Sequence, residues 1–251
     1  MIYDELTTLQ IAQLDKKIPL ILVLAATEQH GPHLPLATDR LIGEHFARTL
    51  HEQMPDKVLV LPVVGIGCSD HHMDFSGSLT LRHGTFMRQV EDIVSSVVKH
   101  GFKHIILLNS HGGNQGVGQV LVEKLGYRYS NIKITLVTWW KLGGASFTEL
   151  NESGRNGTGH AGEFETSLLL LIAPHLVHVD KLEKGAHSDT FSWAKGDLLH
   201  APKASMYRSI METTSNGVYG DPTYATKEKG ESITALVTKG LQDIVTDLLG
   251  S

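Results

Sequence analysis

The segment that decides the fold runs from Leu20 to Asp39 and reads LILVLAATEQHGPHLPLATD. Its first five residues are all apolar, which predicts a strand that is covered on both faces. Polar residues follow from Glu28 to His33, and Asp39 then opens a stretch with apolar side chains at helical spacing. This order of strand, polar loop and helix begins a βαβ unit, whose loop lies at the carboxyl end of its strand.

The same alternation continues along the chain. We predict strands over 20–24, 58–64, 104–109 and 132–138, and helices over 39–54, 85–100, 115–129, 163–173 and 230–249. Strands that alternate with helices favour an α/β fold, here a three-layer α/β/α arrangement with a mainly parallel central sheet. We interpret residues 1–251 as one domain. The stretch 180–229 has weak periodicity and is interpreted as a long loop excursion, either a lid or a subunit contact.

Composition and charge exclude several classes of protein. The chain of 251 residues carries 22 Lys and Arg against 27 Asp and Glu, a formal charge of −5, and has no dense basic run. We therefore expect no nucleic-acid partner. The longest apolar run, 19–26, is too short to cross a membrane, and the first residues do not resemble a signal peptide. We expect a cytoplasmic protein, and its single cysteine rules out an intramolecular disulfide.

Three polar clusters fall where parallel strands should end. The first holds Glu28 and His30, with Asp39 eleven residues after Glu28. The second holds His111 within Asn-Ser-His-Gly-Gly-Asn, and the third reads HAGEFETS from His160. Carboxylates and imidazoles without thiolates suit zinc, manganese or iron. Several carboxylates also suit a pair of cations, which is a recurrent hydrolytic device.

Each cluster also has a structural interpretation. Asp39 could be a helix N-cap, and Glu163 and Glu165 could be acids that a helix dipole favours. The glycine-rich loop 110–116 could bind an anion, although it lacks the Lys-Ser/Thr ending of a P-loop. The pair His71-His72 could line a pocket or lie in a solvated loop. The functional interpretation is favoured because all three clusters fall on one predicted edge of the sheet.

On these motifs the chain resembles the creatininase family of metal-dependent amidohydrolases. The resemblance runs from Glu28 through the closing helix and includes Gly-Asp-Pro at 220–222 and the stretch 225–231. It implies an α/β/α fold, two divalent metal ions per subunit, hydrolysis of an amide C–N bond and a homo-oligomer, a hexamer in many members. The implied site residues are the metal ligands Glu28, His30, Asp39 and His111, with Asp39 bridging, the proton-shuttling His160 and the substrate-bordering Trp140.

The sequence also departs from this family pattern. Creatinine-hydrolysing members follow the second-motif histidine with Tyr and a metal-binding Glu, whereas this chain has Gly112 and Gly113. We take Glu163 as the replacement ligand, with Glu165 supporting a ligand or His160, and the assignment between these two acids stays open. Asn156 stands where those members carry a second tryptophan, which argues against creatinine. The Gly-Gly form resembles relatives that hydrolyse formamides or cleave a small modified peptide.

The sequence therefore predicts a two-metal amidohydrolase, with zinc preferred over manganese or iron. A hydroxide held between the cations would attack a carbonyl carbon, and His160 would protonate the leaving nitrogen. The small-molecule substrate is expected to contact Trp140, His72, Gly112 and Gly113. Three alternatives remain: a non-catalytic protein that binds small molecules or metal, a peptidase for a small modified peptide, and a nucleotide-binding domain.

Overall fold

Four strands form one sheet in the computed structural model, which describes residues 1–185, 188 and 190–251. The strands are β1 (Leu20–Leu24), β2 (Leu59–Val60), β3 (His104–Asn109) and β4 (Lys133–Thr138). Their order is β2-β1-β3-β4, and every pairing is parallel. In the central pairing Leu20 lies beside Ile105 and Leu24 beside Asn109. The predicted parallel sheet is confirmed.

Helices cover both faces of the sheet. They are α1 (Thr8–Gln13), α2 (Thr38–Gln53), α3 (His83–Lys99), α4 (Gln115–Arg128), α5 (Gly144–Leu150), α6 (Glu163–Ile172), α7 (Ile210–Thr213) and α8 (Lys227–Leu249). Side chains alternate along a strand, so Ile21 and Val23 join a core with α2, α6 and α8. Leu22 and Leu24 join a second core with α3 and α4. The three-layer prediction is thus confirmed.

Several predicted boundaries differ from the observed ones. Regular pairing covers only two residues of the predicted strand 58–64, and one isolated bridge follows at Val64. Pro62 lies between them and has no N–H to donate to a neighbouring strand. The sequence pattern also missed the short helices α1, α5 and α7. Helix α7 lies in the predicted excursion 180–229, whose positions 186, 187 and 189 fall outside the described residues.

The topology creates a crevice at one edge of the sheet. The chain moves from β1 to β2 on one side and from β3 to β4 on the other, so the connections diverge between the adjacent strands β1 and β3. Ligands bind beyond the carboxyl ends of strands at such a switch point. Glu28 follows β1, His111 follows β3 and Trp140 follows β4 at that edge. None of the helices in the described part of the chain is long and apolar enough to cross a membrane.

Candidate metal centre

Two buried carboxylates and an imidazole form the middle of the site. Asp39 lies in the first turn of α2, and Glu28 and His111 come from the loops after β1 and β3. His111 Nδ1 lies 3.3 Å from Glu28 Oε1 and 3.1 Å from Asp39 Oδ2. All three side chains are buried. The topology therefore brings together groups that are 11 and 83 positions after Glu28 in the chain.

A second carboxylate–imidazole pair lies beside this centre. His30 Nε2 is 3.2 Å from Asp39 Oδ1 and 3.8 Å from Glu165 Oε2. The backbone N–H of Ala161 donates to Glu165 Oε2 over 2.7 Å. Ala161 is buried and has a φ of 53°, a left-handed conformation that is rare for a residue with a side chain. This unusual backbone helps to fix the Glu165 carboxylate in the cluster.

Backbone carbonyls fix the tautomers of the two histidines. His111 Nε2 lies 3.1 Å from the Cys68 carbonyl oxygen, and His30 Nδ1 lies 3.1 Å from the Glu28 carbonyl oxygen. A carbonyl can only accept, so these ring nitrogens donate. The opposite nitrogen of each ring faces the carboxylates with a lone pair when the ring is neutral. Metal-binding histidines in proteins show this arrangement, in which the far N–H is held by a hydrogen-bond acceptor.

His72 and His160 complete the ring of imidazoles around Glu28. His72 Nε2 is 3.2 Å and His160 Nδ1 is 3.7 Å from Glu28 Oε1. Gln29 holds both histidines from behind. The Nε2 atom of the Gln29 side chain lies 2.9 Å from His72 Nδ1, and the backbone carbonyl oxygen of Gln29 lies 2.7 Å from His160 Nε2. His71 also reaches the cluster, and the sequence offered it only as part of a pair that could line a pocket or lie in a solvated loop. Gln29 was not predicted as a site residue, and its only signal was adjacency to Glu28.

The geometry of the cluster fits a divalent cation. Four sets of three side chains place ligand atoms within 4.8 Å of one another: Glu28–His72–His160, Glu28–His71–His111, His30–His160–Glu165 and Glu28–His30–Asp39. Glu28 Oε2 is buried and has no hydrogen-bond partner among the described residues. A buried carboxylate oxygen without a partner is costly, and a bound cation would remove that cost.

In the absence of a cation, bound protons partly compensate the negative charges of the buried carboxylates. Burial opposes the charged form of His30, but the carboxylates of Asp39, Glu165 and Glu28 together outweigh burial and raise the His30 pKa to about 9. Burial raises the pKa of Glu165 to about 7. Burial would also raise the Asp39 pKa, yet His30 and His111 hold it below its usual value. Burial, followed by the charge on His30, holds the pKa of His160 well below its usual value. Cation binding would displace protons from His30 and Glu165.

Glu163 does not join the cluster. Its buried carboxylate pairs with Lys229 and accepts hydrogen bonds from Ser153 Oγ and from the backbone N–H groups of Glu152 and Ser153, at 3.1 and 3.0 Å. It belongs to none of the ligand groups among the described residues. Its oxygens are already bound by these donors, so the geometry argues against the predicted role as a metal ligand. Glu165, two residues later, occupies the place that Glu163 was expected to take.

The two glycines of the second motif differ in their surroundings. A Cβ on Gly113 would lie 2.0 Å from the Cys68 carbonyl oxygen and 2.5 Å from His111 Nε2. A Cβ on Gly112 would meet nothing within 4 Å. Gly112 and Trp140 line a cavity of about 100 Å³ directly over the carboxylates. Gly113 therefore allows close packing behind His111, while Gly112 borders open space next to the centre.

A parallel α/β/α sheet with a carboxylate–imidazole cluster at its switch point defines a protein with a candidate metal centre. Residues 4–245 match the creatininase family model, described as creatinine amidohydrolase. This chain belongs to the creatininase family of hydrolases.

Relatives of known name agree with this assignment. The mycofactocin precursor peptide peptidase of Mycolicibacterium smegmatis is 31% identical over 92% of this chain and 86% of its own length. The creatinine amidohydrolase of Pseudomonas putida is 25% identical over 91% and 88%. Two solved creatininases, one of Zn–Zn type and one with Mn, are each 24% identical with a TM-score of 0.80, covering 98% of this chain and 97% of theirs. These two structures show the shared fold.

Proposed function

We propose that this chain hydrolyses an amide C–N bond of a small substrate with two divalent cations, zinc in preference to manganese or iron. The observation that carries the proposal is the orientation of His30 and His111. Each holds one ring nitrogen against a backbone carbonyl and points the other at buried carboxylates. A histidine that only filled the core would not need an unpartnered carboxylate oxygen, such as Glu28 Oε2, beside it.

Five side chains would hold the cations: Glu28, His30, Asp39, His111 and Glu165. Asp39 would be suited to contact both cations, because its two oxygens face different imidazoles, Oδ1 towards His30 and Oδ2 towards His111. Cations bound here would lower the pKa of a water molecule and polarise the carbonyl group of the substrate. His72 would support Glu28 from outside. The Gln29 amide contacts His72 Nδ1, so that His72 Nε2 is directed at Glu28 Oε1.

His160 is suited to move the proton. The Gln29 carbonyl oxygen accepts from Nε2, so Nδ1 carries the lone pair and faces the cluster. The lowered pKa keeps this ring neutral near pH 7, ready to accept a proton from the attacking water. Nδ1 can then return the proton to the leaving nitrogen. Trp140, buried and edge-on to Trp139, would form the apolar wall beside the reacting group.

A short peptide is a second candidate substrate class beside non-peptide amides. A cavity of about 430 Å³ adjoins the centre, which is more room than a single small ring requires. The relative from Mycolicibacterium smegmatis acts, by its name, on a precursor peptide. The predicted hexamer and cytoplasmic location stay predictions.

Elemental analysis of protein purified without added metal or chelator tests the proposal first. We expect about two equivalents of a divalent metal per chain and their loss in Asp39→Asn, since Asp39 joins both imidazoles. Asp243→Asn is the matched control, because Asp243 is an exposed acid paired with Lys239 on α8. Metal-loaded protein is then assayed on formamides, cyclic amides and short peptides. Bound metal without turnover favours the non-catalytic alternative, and failure to bind metal after supplementation contradicts the proposal.

A further inference from the structure

The cavity beside the metal centre is built largely by the segment 190–219. It is lined by Leu198, Pro202, Met206 and Tyr219, among others. It shares His160 and Leu198 with the small cavity over the carboxylates, so the two spaces adjoin. A substrate bound at the metal centre would therefore extend along a mostly apolar wall into this larger cavity.

Arg208 lies where this cavity meets a further one. It lines the cavity of about 430 Å³ and also a neighbouring cavity of about 460 Å³, together with His71 and Met206. Among the described residues that line these two cavities and the small one over the carboxylates, Arg208 is the only Lys or Arg. The two larger cavities thus combine apolar side chains with one arginine, Arg208, and with the acids Asp197 and Asp70.

Among the described residues, the Arg208 guanidinium makes one hydrogen bond, in which Nη2 donates to the Glu212 carbonyl oxygen over 2.6 Å. Within the described ranges the arginines that form ion pairs are Arg40 and Arg128, not Arg208. Nearby acids are already engaged. Asp197 accepts from the N–H groups of Leu199 and His200, the Glu212 carboxylate accepts from Ser209 N, and Asp74 accepts from Ser209 Oγ. Among the described residues, these acids thus accept hydrogen bonds from the local fold, and none of them pairs with Arg208.

We propose that Arg208 binds an acidic group, a carboxylate or a phosphate, on the substrate whose amide bond is hydrolysed at the metal centre. This inference rests on the proposed amidohydrolase function and narrows its substrate class to amides with an apolar body and an anionic end. A guanidinium suits this task because its planar donors can bind two oxygens of one anion. Arg208 is a specificity residue, since it does not line the small cavity over the carboxylates.

Three matched probes test this inference: N-acetyl-Gly-Gly-Phe, its C-terminal amide, and N-acetyl-Gly-Gly-phosphotyrosine amide. Calorimetry on Asp39→Asn measures binding without turnover. We expect the preferred anion to bind about ten- to a hundredfold more tightly than the neutral amide, the range for hydrogen bonds to charged groups. Preference for the first probe assigns the site to carboxylates, and preference for the third assigns it to phosphates.

Variants then show whether Arg208 causes the preference. In the Asp39→Asn background, Arg208→Met should remove it, Arg208→Lys should retain part of it, and Arg88→Met, at an exposed position on α3, should leave it unchanged. Equal or undetectable binding of all three probes, or a preference that survives Arg208→Met, overturns the inference. Wild-type protein that hydrolyses acid and amide alike overturns it too, while supporting the proposed function. Selective binding without any hydrolysis by wild type contradicts the proposed function and leaves the anion site standing.

Discussion

Glu163 and Glu165 lie two residues apart in the first turn of α6, and both are buried, yet they have opposite surroundings. Glu163 pairs with Lys229 of α8 and with backbone N–H groups near Ser153. Glu165 faces His30 and receives one N–H, from Ala161. One acid thus has a permanent cationic partner supplied by the fold, and the other is left among groups that titrate.

This difference separates a carboxylate that the fold itself compensates from one that we propose to be a metal ligand. A buried carboxylate is stable only when its charge is compensated. Lys229 does this for Glu163 without any ligand, which ties α6 to α8. Glu165 faces His30, which itself titrates, and the Ala161 N–H, and burial raises its pKa to about 7. An acid in that state is ready to exchange its proton for a cation.

The largest effect on stability is expected from Lys229→Met. It leaves the buried Glu163 carboxylate without its cation, which should lower the free energy of unfolding by about 3 kcal/mol. The double variant Glu163→Gln/Lys229→Met should recover most of this loss, because no unpaired charge remains. Urea denaturation measures both. Metal content per folded chain should stay at the wild-type level, and loss of metal in the double variant would show that Glu163 serves the metal centre after all.

Glu165→Gln should lower activity and metal content without lowering stability, whereas Lys229→Met should lower stability without changing metal content. Losing a ligand should lower kcat/KM at least about a hundredfold, because a bound metal supplies several kcal/mol of transition-state stabilisation. Metal content should fall, while urea denaturation of the metal-free protein should show no loss of stability, since Gln removes a buried charge. A variant that keeps full metal content would remove Glu165 from the ligand set.

His33 and His30 in the first motif are both buried, but the His33 pKa is lowered and the His30 pKa is raised. Burial and then the charge on His30 lower the His33 pKa to about 4, and its Nε2 lies 3.0 Å from Thr166 Oγ1. Below pH 6.5 the unfolded chain binds a proton that the folded chain does not. The stability contributed by neutral His33 is therefore complete above pH 6.5 and is lost as the pH falls towards 4.

The size of this effect is on the order of 3 kcal/mol, at about 1.4 kcal/mol per unit of pKa. It is measured as the difference in unfolding free energy between wild type and His33→Gln from pH 7 to pH 4. That difference should shrink as the pH falls. His175→Gln, at an exposed position, is the control and should show no such trend. A difference that does not change with pH would mean that the pKa of His33 is the same in the folded and the unfolded chain.

The smallest effect distinguishes the two glycines of the second motif. Gly113→Ala should cost about 1–3 kcal/mol and weaken metal binding, because its Cβ would press on Cys68 and His111. Gly112→Ala should stay within about 0.5 kcal/mol of wild type, since its Cβ meets open space. Denaturation and metal titration of the two variants check this, and equal effects would show that the loop adapts to a Cβ at either position.

The sequence by itself determined the layers and the edge where the site lies. Unbroken apolar runs such as 20–24 can be covered only by helices on both faces, so the pattern sufficed for a parallel sheet. Because parallel strands all end on one edge, the positions of Glu28 and His111 after their strands predicted their meeting.

Only the tertiary structure decided which buried acid keeps a partner and which residues line the cavity beside the carboxylates. Glu163 is paired by Lys229, 66 residues away, and no local spacing encodes that contact. Arg208 gave no signal, since it lies in the irregular stretch 180–229 and matters only because the chain folds it over the sheet edge. The sequence shows which side chains can carry a charge. Whether a buried charge is compensated depends on contacts between residues distant along the chain, and here that compensation distinguishes Glu163 from Glu165.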